Sequence, residues 1–91
     1  MKINELEADW ANRGFSFGIG TIKAHDGINE ATHDDKDELV FMESGKYEFT
    51  LGDKTFTQEG NIEVLIPVGT THSIKNLGAK DSTIYYGYKS K

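Results

Sequence analysis

Beyond Gly14 the chain alternates apolar and polar residues with a period of two. Phe15, Phe17 and Ile19 alternate with Ser16, Gly18 and Gly20, and Tyr47, Phe49 and Leu51 alternate with Lys46, Glu48 and Thr50. A period of two is the signature of a half-buried strand. Further strands are predicted over Glu38–Glu43, Lys54–Thr57, Glu63–Ile66, His72–Lys75 and Ser82–Tyr88. Gly52-Asp53 is a two-residue hairpin signal. Pro67 ends the strand before it, because proline has no N–H for a ladder. About seven short strands, with turn residues every ~8–12 positions, predict an all-β sandwich or barrel.

Two segments depart from this rhythm. Residues Asn4–Asn12 place Leu6 and Trp10 four apart, on one helical face, with Asn4 as N-cap and acidic residues in the first turn. The first 13 residues therefore form a short N-terminal helix ended by Arg13-Gly14, or an extended arm. Residues Ala24–Asp37 are polar and carry His25, Asp26, Glu30, His33, Asp34, Asp35 and Asp37. They read as a solvated loop or as the rim of a site.

Composition narrows the possible functions. Ninety-one residues make a single domain, 1–91, with a modest core. No cysteine is present, which excludes disulfides, thiolate metal ligands and a cysteine nucleophile. The net charge is −5, and Arg13 is the only arginine. No basic cluster exists to displace counterions, so neither nucleic acid nor an anionic membrane surface is an expected partner. No apolar run is long enough for a membrane span, and the first seven residues lack a signal core. The expected location is the cytoplasm.

His33, Glu38 and His72 stand out by position. If Glu38 points inward, so do Val40 and Met42, while Leu39 and Phe41 face the other way. A lone buried carboxylate is costly, and a metal or a hydrogen-bonding partner removes that cost. Taken singly, each has a plainer reading: His33 in a solvated turn, Glu38 at an exposed strand edge, His72 bonded to a backbone carbonyl. Other chemistries lack support. Gly18 and Gly20 precede no helix, Ser73 and His72 are strand neighbours on opposite faces, and the acidic run has no EF-hand spacing.

Two longer patterns join these residues. His33-Asp-Asp-Lys-Asp-Glu38 followed by Gly45 resembles the first cupin motif, G-x5-H-x-H-x3,4-E-x6-G. Gly60 through Pro67-Val-Gly69-Thr-Thr-His72-Ser-Ile-Lys-Asn76 resembles the second, G-x5-P-x-G-x2-H-x3-N. The resemblance runs from Phe15 to Tyr88 and implies a small jelly-roll barrel, commonly paired as a homodimer through edge strands. In that family the motif histidines and glutamate bind one divalent metal inside the barrel. The first motif histidine falls on Ala31, leaving His33, Glu38 and His72 as the implied ligands. One extra residue separates Gly60 from Pro67, so either the turn is longer or Asn61 takes the glycine position with a left-handed backbone.

Two histidines and a carboxylate suit Fe, Zn, Ni, Mn or Cu with open positions. His25, Glu30 and Asp35 are weaker candidates for a replacement ligand. The resemblance implies a small organic ligand in the barrel and, if the protein is an enzyme, dioxygenase or isomerase chemistry. It leaves open a non-catalytic ligand-binding or sensing cupin with a weakened or absent metal site, and a structural domain with an empty barrel. Asn76 is expected to tie its turn by side-chain hydrogen bonds, and tyrosines among Tyr85, Tyr86 and Tyr88 that face the barrel to orient a ligand.

Overall fold

A computed structural model describes residues 3–32 and 35–90, and of residues 28–31 the backbone only. One helix, α1 (Ile3–Asn12), precedes eight strands. These are β1 (Gly18–Ile22), β2 (Gly27–Ala31), β3 (Lys36–Met42), β4 (Lys46–Leu51), β5 (Lys54–Glu59), β6 (Ile62–Ile66), β7 (His72–Asn76) and β8 (Ser82–Ser90). They form two four-stranded antiparallel sheets, ordered β1-β8-β3-β6 and β2-β7-β4-β5. Two facing sheets of four strands make the jelly-roll architecture. Among the described residues no helix is long and apolar enough to cross a membrane.

The inward faces build the main core: Ile22, Val40, Met42 and Ile84 from the first sheet meet Tyr47, Phe49 and Ile74 from the second. Strand β3 is buried on both sides. Its alternate residues Leu39 and Phe41 face outward and pack with Tyr85 against Leu6 and Trp10 of α1. The N-terminal segment is thus a helix that roofs the outer face of the first sheet. It holds because Leu6 and Trp10, one turn apart, are its two buried residues. Its end is a Schellman cap. Gly14 adopts φ 87, its N–H bonds Ala11 O at 3.0 Å, and Phe15 N–H bonds Trp10 O at 2.8 Å. Polar contacts pin α1 to β6: Trp10 Nε1 donates to Glu63 Oε1 at 2.8 Å, and Arg13 Nη1 to Glu63 Oε2 at 2.9 Å.

Two expectations need correction. The strand read from Phe15 begins only at Gly18, and Phe15 and Phe17 pack into the outer cluster beneath α1. The helix cap claims the Phe15 N–H, and the Ser16 hydroxyl accepts Tyr88 N–H at 3.0 Å where a ladder would use a carbonyl. The polar segment 24–37 is not wholly loop, since it contains β2, paired with β7. An edge strand with one partner tolerates a polar sequence, which hides it from a hydrophobicity pattern. Elsewhere the turns form as read. Leu51 pairs with Lys54 around Gly52-Asp53, and Asn61 takes the left-handed backbone with φ 68.

Candidate functional site

The site lies on the inner faces of β3 and β7, one strand from each sheet. Glu38 sits two residues before Val40, so strand parity directs it toward the core. It is 7% exposed, which rules out the exposed-edge alternative. His72 opens β7 and is 3% exposed. Its Nε2 stands 3.1 Å from Glu38 Oε1, although 34 positions separate the two residues.

Backbone geometry around His72 explains its aim. Thr70 N–H bonds Pro67 O at 3.2 Å, closing a turn whose third residue, Gly69, has φ 79. A type II turn requires that positive φ, and glycine supplies it without a Cβ clash. Asp37 Oδ1 accepts Val68 N–H at 2.8 Å and clamps the turn onto β3. His72 Nδ1 then meets Thr70 O at 3.2 Å. A carbonyl only accepts, so Nδ1 carries the hydrogen and Nε2 faces Glu38. A ring N–H held by a backbone carbonyl fixes the tautomer and leaves the other nitrogen free to act as a ligand, which is how metal-ligating histidines are oriented.

At the far end of β7 Asn76 is fully buried. Its Nδ2 donates to Ile22 O at 3.1 Å and Lys80 O at 2.9 Å, and its Oδ1 accepts Gly78 N–H at 2.9 Å. It ties the 77–82 turn to β1, as expected, and so fixes the strand that carries His72.

Two further residues join the site through the fold. Asp37, at the end of the segment expected to be a solvated loop or the rim of a site, anchors the Pro67–Thr70 turn, which only the fold brings to it. Tyr88 lies directly opposite Glu38 in the β3–β8 register. Burial holds its phenol above the usual tyrosine range, followed by the charge of Glu38, the neighbouring Tyr86, and a hydrogen bond to Glu38. Tyr85, by contrast, faces outward into the helix cluster. His33 lies outside the described residues. Among the described residues no three His, Asp or Glu side chains gather as a metal-holding group. His25 and Asp35 are exposed.

The fold is that of the cupins. Similar solved structures include the cupin domain of Cnp3 from Schizosaccharomyces pombe, at 23% identity and TM-score 0.79 over 86% of this chain and 54% of that one. A predicted oxalate decarboxylase from Thermotoga maritima matches at 15% identity and TM-score 0.78, over 91% of this chain and 73% of that one. A recombinant oxalate oxidase in complex with glycolate matches at 15% identity and TM-score 0.73, over 86% and 43%. The chain thus spans about half the length of the first and less than half of the last. No family model and no curated protein matches the sequence.

The donor set fits a divalent transition metal in its chemistry. A buried carboxylate and a buried, correctly oriented imidazole come from facing strands, and both are ordinary ligands of first-row ions.

Proposed function

We propose that this chain is a metal-binding cupin that holds one divalent transition metal through Glu38, His72 and His33 and takes a small organic molecule in the barrel beside it. The observation that carries this reading is the 3.1 Å approach of His72 Nε2 to Glu38 Oε1 in the buried interior. A bound metal supplies Lewis acidity toward a ligand oxygen. The chain's own residues do the rest. Thr70 fixes the imidazole, Asp37 holds the turn that carries Thr70, and Tyr88 stands beside Glu38 as its register partner on β8. The oxalate-acting neighbours support a cupin-type function in general terms.

A second reading, a cupin that binds or senses a ligand without turnover, is favoured by Ala31. That position is the register partner of His72 across β2 and β7, and alanine offers no donor. We also infer that two copies associate. Ile19 and Leu65, 53% and 51% exposed, lie on the edge strands β1 and β6, which supports pairing through that sheet.

Elemental analysis of protein purified without added metal, followed by zinc titration, tests the leading reading. Wild type should bind about one metal per chain at micromolar concentration, and His72→Ala should lose stoichiometric binding while keeping its dichroism spectrum. Wild-type protein that binds no first-row ion would refute the metal site.

A further inference from the structure

We propose that Lys36 is the anion anchor of the barrel site, so that the organic molecule held beside Glu38 and His72 carries a carboxylate. The proposal rests on the reading above that the barrel takes such a molecule. Lys36 is the first residue of β3 and lies two before Glu38, on the same face of the strand. Contacts confirm that face: its Nζ sits 4.5 Å from the centre of the Tyr88 ring, and Tyr88 is the register partner of Glu38 on β8. The ammonium therefore stands one step outward from the buried pair, along a wall made by Tyr88.

That ammonium pairs with no carboxylate among the described residues. Its partner is an aromatic face, an interaction of about 0.5–1 kcal/mol at an exposed site. A carboxylate oxygen offers a charge-assisted bond roughly twice as strong as a neutral one. The ring holds the flexible side chain over the site while leaving N–H groups to donate.

The rest of the wall suits an organic body. Tyr86 and Tyr88 have ring centres 6.1 Å apart on the inner face of β8. Tyr86 spreads across β1 because its partner there is Gly18, where a Cβ would lie 2.6 Å from the ring. A ligand lying along this wall turns its carboxylate to Lys36 and a second oxygen inward toward Glu38 and His72.

The test is a nuclear magnetic resonance titration of the full chain, metal-free and zinc-loaded. The probes are lactate and butyrate, each compared with its neutral amide, lactamide and butyramide. Zinc itself favours a carboxylate, so the readout is the change in the acid-to-amide preference between proteins. Lys36→Met and Lys36→Gln should each lower that preference about fivefold at unchanged zinc affinity, as loss of one charge-assisted bond predicts. Lys36→Arg should retain it. Preference unchanged in whichever neutral variant keeps the wild-type amide spectrum, or no binding of either acid to wild type, overturns the proposal. Failure of wild type to bind zinc refutes the metal reading separately, and the metal-free titration still decides the role of Lys36.

Discussion

Replacing Asn76 with alanine removes two donors and one acceptor from a side chain that is itself fully buried, although its bonds to Lys80 and Gly78 are only part-buried. The Ile22 and Lys80 carbonyls and the Gly78 N–H, now at 3.1, 2.9 and 2.9 Å from the amide, would each lose a partner. The Ser82 Oγ contact at 3.3 Å must share a proton, because Nδ2 has only two. Three lost bonds at about 1 kcal/mol each, with some added cost for groups left buried and unpaired, give roughly 3–4 kcal/mol. A chain of this length has about 5–14 kcal/mol in total. Asn76→Ala should therefore be folded but marginal, with its melting temperature lowered by about 15–25 °C. Urea unfolding followed by dichroism and by Trp10 fluorescence is the assay. Trp10 is the only tryptophan and reports the helix-to-sheet cluster, so coincident curves establish that both cores unfold together. Asn76→Asp sharpens the test. Its ionised carboxylate would face two carbonyls, which raises its pKa in the folded state above the unfolded value. Its destabilisation should thus be smaller near pH 4 and grow as pH rises. A loss below about 1 kcal/mol in Asn76→Ala, with unchanged urea dependence, would show that water replaces these bonds and that the amide does not hold the turn.

Other outcomes follow from the same contacts. Glu63 is held below the usual carboxylate range by its hydrogen bond to Arg13, with help from Trp10 and the Arg13 charge. A depressed folded value adds stability above the unfolded pKa that is lost as pH falls through the folded one. Glu63→Gln should cost about 1 kcal/mol at pH 7 in thermal melts, and the gap from wild type should close in acid; a gap that widens in acid would contradict the pairing. Ala31→His, at the register partner of His72, should tighten zinc binding by an order of magnitude or so. Unchanged affinity in a folded variant would break the alignment of the first motif. Leu65→Lys should shift the sedimentation coefficient from dimer to monomer, and a wild type that sediments as a monomer at all concentrations would remove the edge-strand reading.

Much of this molecule is legible from local pattern. Alternation specifies strands because successive side chains point to opposite faces, and Leu6 with Trp10 specifies a helical face because four residues make one turn. The run Pro67-x-Gly69-x-x-His72-x-x-x-Asn76 encodes a turn, a strand and the two side chains at its ends, since every step depends on near neighbours in the chain. Parity alone placed Glu38 with Val40 and Met42. Parity does not say which strand lies opposite, however, and that choice belongs to the fold. It brings Glu38 to His72, Tyr88 across to Glu38, Asp37 under the Pro67–Thr70 turn and Arg13 to Glu63. It also makes a strand of the polar segment 27–31, by lending it one edge of the second sheet, and takes Phe15 and Phe17 out of the ladder, because the helix cap claims the Phe15 N–H and the Ser16 hydroxyl takes the Tyr88 N–H.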